Sequence, residues 1–213
     1  MRDSIVYKDD IVEFLNVFSK EECDSLIDYF NLNENNWQVT CFYESRVMDP
    51  IANIDMSNTI DSGYFEDIRK KLYSLASQVA KKELKNLSLS AHKWNKGAYA
   101  SDHSDNSELD GTPNAWQDNK FVTIIYLNDN YEGGNLTFSG HNLSISPKLG
   151  SVVAFDPGFK NLHGVSEIIS GTRYTMLASF DYTDSVYTKD LYEWRQEYSK
   201  EQENQRESWK NAN

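Results

Sequence analysis

Apolar residues change their spacing near residue 87, and the change predicts two kinds of structure in one chain. Upstream the spacing is mostly helical. Leu26, Ile27 and Phe30 share one helical face, Ser19 stands ahead of them, and Glu22 follows Ser19 by three residues. Serine and glutamate at that separation each satisfy a backbone N–H that a first helical turn leaves unpaired, so a helix starts there. A longer amphipathic stretch runs from about Asp61 to Asn86, with Phe65, Ile68, Leu72, Leu75 and Val79 on its buried side. Ile5–Leu15 is β-like and Trp37–Tyr43 reads as a strand, whereas Ser45–Asn58 keeps no steady period and reads as a long loop.

Downstream the period moves toward two. Leu89–Trp94, Phe121–Leu127, Asn135–Phe138, Ser151–Phe155 and Tyr174–Asp181 read as short strands. Gly133-Gly134, Ser139-Gly140, Pro157-Gly158 and Ser170-Gly171 mark turns between them. Short strands punctuated in this way predict an antiparallel sandwich or barrel, so the chain is mainly β with flanking helices. From Thr188 onward the residues are polar and mixed in charge, and Leu191, Trp194 and Tyr198 can anchor a helix at the start of that tail.

Composition narrows the function classes. With 39% hydrophobic and 13% aromatic residues in 213, the chain has the apolar groups a folded core needs, and wholesale disorder is excluded. The net charge of −12 disfavours nucleic acid and anionic membrane surfaces, which are bound through cations. No stretch approaches a membrane span or a signal peptide, so a cytoplasmic location is expected. Cys23 and Cys41 form no metal or redox motif, and Cys23 falls within a helix as a core position.

Four histidines, His92, His103, His141 and His163, carry the candidate chemistry. His103 and Asp105 are two residues apart, so on an extended segment both side chains reach the same side and can grip one ion. Alone, that pair equally reads as a solvated polar loop. His163 follows the Pro157-Gly158 turn, and two histidines with one carboxylate make the facial triad of non-haem Fe(II) sites. Arg173, the sole arginine between Arg69 and Arg195, comes ten residues later and offers a rigid fork for a carboxylate. His92 and His141 read as structural or solvated positions, and Asp156 as a turn residue. The loop Asn106–Asn119, with Trp116, reads equally as solvated surface or as a substrate wall with an aromatic anchor.

These residues sit in runs that resemble one family, the iron(II)/2-oxoglutarate-dependent dioxygenases, in the branch similar to prolyl 4-hydroxylases. Lys93-Trp94-Asn95-Lys96-Gly97 ahead of His103-Ser104-Asp105 is similar to the family's aromatic-x-x-Gly run before its His-x-Asp, although Trp94 stands where tyrosine is more usual. Phe121–Asn128 and Glu132–Phe138 resemble its paired core strands. Gly150–Phe155, His163-Gly164-Val165 and Gly171-Thr172-Arg173-Tyr174 resemble its distal half, and Phe18–Cys23 its N-terminal helix.

The resemblance implies a double-stranded β-helix, or jelly-roll, over residues 87–182, with helical support over 1–86 packed on one face. Together these make a single domain over 1–186, followed by a polar helical tail over 187–213. It implies that His103, Asp105 and His163 hold Fe(II) and that Arg173 takes the far carboxylate of 2-oxoglutarate, helped by the hydroxyls of Tyr126 and Thr175. O2 is the second co-substrate, with ascorbate as a stimulating reductant. The implied reaction hydroxylates an unactivated C–H, first of a peptidyl proline, and releases succinate and CO2. Two alternatives stay open: the same chemistry on a free amino acid or small metabolite, and a jelly-roll binding module without catalysis. Nucleic-acid repair is poorly supported, since Gly97–Ser166 holds eight acidic and three basic residues. The expected partner is a peptide, a protein or a small molecule; the oligomeric state is left open.

Overall fold

The computed structural model describes residues 3–34, 38–40, 51–55, 62–198 and 200. The chain opens with a hairpin, β1 (Ser4–Lys8) and β2 (Ile11–Phe14), where the periodicity suggested one extended stretch. Helix α1 (Lys20–Leu32) starts as predicted: the Glu22 N–H donates to Ser19 Oγ at 3.2 Å, and the Ser19 N–H donates to Glu22 Oε2 at 2.7 Å. Then come β3 (Gln38–Thr40) and β4 (Ile51–Asp55). Strand β4 corrects the reading of Ser45–Asn58 as loop throughout, because residues 51–55 pair with the sheet; the rest of that segment, with Arg46, lies outside the described residues.

Helix α2 (Ser62–Ala80) is shorter than its predicted span. It stops where Lys81 takes a left-handed φ of 54°, and the chain turns into β5 (Leu84–Trp94), a long strand that begins within the residues expected to be helical. Strand pairing overrides helix propensity here, since Leu84 is buried opposite Tyr182. The remaining strands are β6 (Ala100–His103), β7 (Phe121–Tyr126), β8 (Glu132–Gly133), β9 (Leu136–Phe138), β10 (Leu143–Ile145), β11 (Val152–Phe155), β12 (His163–Val165), β13 (Ile168–Ser170) and β14 (Arg173–Tyr182). A helix over 191–198 follows. No helix among the described residues is long and apolar enough to cross a membrane.

Eight strands form one sheet in the order β1-β2-β11-β7-β14-β5-β4-β3, and four form a second in the order β10-β9-β12-β6. Alternation along each strand divides the large sheet's side chains between two cores. Val12, Phe14, Leu89, Ala91, Phe121, Ile125, Val152, Ala154, Met176, Ala178 and Phe180 meet both helices, whose buried stripes include Leu26, Phe30, Phe65, Ile68, Leu72 and Leu75. Their opposite-parity neighbours Ile11, Val122, Ile124, Tyr126, Val153 and Phe155 meet Leu136, Phe138 and Ile145 from the small sheet. The result is the expected jelly-roll, with the two helices on one face and the site residues carried on the inner side.

Candidate active site

Strand pairing brings the two histidines together. His163 of β12 lies directly opposite His103 at the end of β6, with ring centroids 4.4 Å apart. Between this pair and Val165–Ala100, β6 carries one residue more than β12, a bulge that re-aims the His103 end of the strand. Close approach of the strands here requires glycine at position 164, where a Cβ would stand 2.7 Å from the Ala100 carbonyl oxygen. Asp105 follows in the loop, its backbone N–H donating to the Pro157 carbonyl at 2.9 Å. Its Oδ1 is 3.4 Å from Nε2 of each histidine.

The other ring nitrogens are engaged. His103 Nδ1 meets the Ser101 carbonyl at 2.8 Å, and His163 Nδ1 meets the Asn161 carbonyl at 3.1 Å. A carbonyl oxygen only accepts, so each Nδ1 carries a proton, which leaves Nε2 as the nitrogen on the Asp105 side that a metal would take. Burial alone would raise the Asp105 pKa, but hydrogen bonds from the two imidazoles hold its carboxyl far below the usual range. One ligand atom from each residue lies within 4.8 Å of the others, close enough to share one ion. Two neutral imidazoles and one carboxylate fit a divalent iron with open positions left over.

Beside this cluster is a cation with no counter-ion. Arg173 is 1% exposed, and among the described residues no carboxylate lies within ion-pair distance of it. Its Cζ lies 5.0 Å from the ring centroids of both Trp94 and Tyr126, while Nε and Nη1 have no hydrogen-bond partner. The Trp94 indole N–H and the Tyr126 hydroxyl are also buried and unpartnered. Burial pushes the Tyr126 pKa up, against the pull of Arg173, so the phenol keeps its proton as a donor. Four buried donor groups that meet no acceptor among the described residues describe a receptor for an anion. Gly134, at φ +65°, lets the β8–β9 turn pass against this arginine; a Cβ there would stand 2.4 Å from Ile168 Cδ1 and 3.0 Å from Arg173 Cδ.

Register places the remaining candidates. Arg173 is opposite Trp94, and Thr175, also buried, is opposite both His92 and Tyr126. Asn128 holds the start of β14 by accepting from the Tyr174 N–H at 2.8 Å and donating to the Thr172 carbonyl at 2.7 Å. His92 was expected to be structural or solvated. It lies outside the His103–Asp105–His163 cluster and bonds Ser90 Oγ through Nε2 at 2.8 Å; it is half-buried and stacked near Trp94, and its pKa is pulled down to about 4 by burial and by the Arg173 charge, with Asp105 opposing. His141 is structural, bonding Asn161 Oδ1 at 2.7 Å, and Asp156 is a turn residue that accepts from the Gly158 N–H. Trp116 packs edge-on against Tyr198 of the C-terminal helix at 5.1 Å, which answers the two readings of its loop with a third. Trp94, Asn128 and Asn119, whose Nδ2 donates to Asp105 Oδ2 at 3.0 Å, are site residues that the sequence did not single out for these contacts; only their partners across strands and loops mark them.

The match to known proteins covers this same region. Residues 89–180 fit the model of the 2OG-Fe(II) oxygenase superfamily. That match takes in fewer than half of the chain's 213 residues and contains His103, Asp105, His163 and Arg173. The chain is similar to human (Homo sapiens) prolyl 3-hydroxylase 2, with 32% identity over 83 residues; the match takes in 33% of this chain and 12% of that relative's length. Its fold is that of the viral collagen prolyl hydroxylase of Paramecium Bursaria Chlorella virus-1, with a TM-score of 0.64, 17% identity, and coverage of 82% of this chain and 96% of the viral one. The Trichoplax adhaerens prolyl hydroxylase, solved with a hypoxia inducible factor peptide fragment, matches with a TM-score of 0.63 at 15% identity, covering 82% of this chain and 84% of that one.

Proposed function

We propose that this protein is an Fe(II)- and 2-oxoglutarate-dependent dioxygenase that hydroxylates a peptidyl proline. The observation that carries the reading is Arg173: a buried guanidinium without a carboxylate, walled by two aromatic rings, beside three side chains suited to one metal ion. In this reading His103, Asp105 and His163 hold iron. Arg173 binds the far carboxylate of 2-oxoglutarate, and Tyr126 and Thr175 supply hydroxyls to the same group. Trp94 replaces a hydroxyl donor with an indole N–H, which offers one more hydrogen bond.

With the metal, 2-oxoglutarate and O2 in place, the bound groups supply an oxidant that hydroxylates an unactivated carbon as 2-oxoglutarate leaves as succinate and CO2. The chain's own part is to orient and to exclude water. The backbone carbonyls of Ser101 and Asn161 hold a proton on each Nδ1 and leave Nε2 as the ligand nitrogen, and the phenyl rings of Phe138 and Phe155 pack beside His163. His92 stays neutral near Arg173, so it adds no second positive charge to the co-substrate's neighbourhood.

The prolyl substrate rests on the similar proteins, which are prolyl hydroxylases. Succinate release is the test, measured with proline-containing peptides and with free amino acids. Release with peptides alone supports the proposal. Equal release with free proline transfers the reaction to a small metabolite, and no release with either, when Fe(II) and 2-oxoglutarate bind, points to a binding module.

A further inference from the structure

The two oxygens of Asp105 are not equivalent. Oδ1 faces both imidazoles, whereas Oδ2 accepts a hydrogen bond from Asn119 Nδ2 at 3.0 Å. Asn119 lies at the far end of the loop that Asp105 begins, fourteen residues on. Its backbone carbonyl accepts from Asn106 Nδ2 at 2.7 Å, and Asn114 Nδ2 donates to the Asp105 carbonyl at 3.3 Å, so the loop closes on itself around the carboxylate. The amide's orientation is decided by chemistry: flipping it would set Asn119 Oδ1, which is buried and without a partner, against the carboxylate oxygen.

The C-terminal helix over 191–198 reaches this loop just ahead of Asn119. Arg195 pairs with Asp118 through Nη2 and donates from Nε to the Ala115 carbonyl at 3.0 Å. Asp118 is buried, and Trp116 meets Tyr198 edge-on. A guanidinium bridging a buried carboxylate and a backbone carbonyl fixes the chain more firmly than an exposed pair does. The Asn119 N–H also donates to the Trp116 carbonyl at 2.8 Å, so the clamped residues and the amide on Asp105 form one hydrogen-bonded turn.

We propose that Asn119 is a positioning residue that keeps Asp105 presenting a single oxygen to the metal, and that the C-terminal helix holds Asn119 there through Arg195. The inference rests on Asp105 being a metal ligand. Outer-shell partners of metal ligands alter affinity by about 10–100-fold when removed. The polar tail thereby acquires a task at the metal site.

Co(II) serves as the probe, because its visible absorption reports both occupancy and coordination number. Titrate the full chain and its Asn119→Leu variant, which keeps the side chain's shape and removes the donor. Weaker Co(II) binding by about 10–100-fold with an altered band intensity supports the inference, the freed Oδ2 being able to join the metal. Arg195→Ala should weaken Co(II) by roughly two- to thirtyfold in the parent chain, and should add nothing in the Asn119→Leu background. If Asn119→Leu fails to fold, Asn119→Ala takes its place in every arm. Unchanged affinity and spectrum without the Asn119 donor overturn the inference while the metal site stands; additive effects of the two substitutions overturn the role of Arg195. Failure of the parent chain to bind Co(II), or equal binding by Asp105→Ala, overturns the reading of the site itself.

Discussion

Replacing Arg173 with methionine separates two effects that the native residue combines. Its guanidinium is buried, with Nε and Nη1 unpaired. Removing an ion from water costs several kcal/mol even after relaxation, and the two ring faces at 5.0 Å return about 2 kcal/mol each at most. Methionine fills much of the same space without the charge. Exchanging buried charges for apolar side chains is neutral or stabilising by about 1–4 kcal/mol, and a chain of this size shifts by about 2–4 °C per kcal/mol. Unliganded Arg173→Met should therefore melt at the same temperature or up to about 15 °C higher. Binding moves the other way. A charge-assisted hydrogen bond contributes about 1.5–3 kcal/mol, so losing two donors weakens 2-oxoglutarate by about 10²–10⁴-fold at 1.4 kcal/mol per decade. The assay is thermal melting under anaerobic conditions with Fe(II), with and without 2-oxoglutarate. The native protein gains about 2.7 kcal/mol at a hundredfold excess over Kd, and the variant gains nothing at that concentration. Metal affinity stays unchanged in a parallel titration. A lower melting temperature for the unliganded variant, with an undiminished 2-oxoglutarate shift, would refute the reasoning.

Trp94→Phe keeps an aromatic face for Arg173 and removes only the unpartnered N–H; it should leave stability intact and weaken 2-oxoglutarate by about 10–150-fold in the same titration, as loss of one hydrogen bond of about 1.5–3 kcal/mol to a charged carboxylate implies. His92 bears on acid stability: its folded pKa of about 4 lies below the value near 6.5 of an unfolded chain. The unfolded state therefore takes up the proton first, so stability falls as pH drops from about 6.5 to 4, by at most about 3 kcal/mol and by less because the ring keeps some exposure. His92→Leu should flatten that limb of a denaturant-midpoint profile, and an unaltered slope would show that the native ring titrates freely. Gly134→Ala forces a Cβ to within 2.4 Å of Ile168 Cδ1 at a positive φ, so it should cost about 1–3 kcal/mol and weaken 2-oxoglutarate by displacing Arg173; a silent melt would show that the turn is pliant.

Local rules carried a good part of this protein. The capping box of Ser19 and Glu22 is a contact between near neighbours, and it forms as the residues predict. Phe65, Ile68, Leu72, Leu75 and Val79 follow helical spacing because burial on one face repeats every turn, and all five are in the core. The candidate site residues were legible for a different reason: two of only four histidines, His103 and His163, with Asp105 and the isolated Arg173, stand in a telling order. What followed from pairing between distant strands was not legible. Residues 51–55 became a strand between β5 and β3 because β5 offered unpaired backbone groups, and α2 ended at Ala80 because β5 needed Leu84. Register across β14 put Trp94 and His92 beside Arg173 and Thr175, and loop closure delivered Asn119 to Asp105 from fourteen residues away. Residue type and local period therefore named the chemistry and the helices of this protein. Only the tertiary structure decided which buried donors stand around Arg173 and which amide holds Asp105, because those contacts join residues whose separation along the chain carries no period.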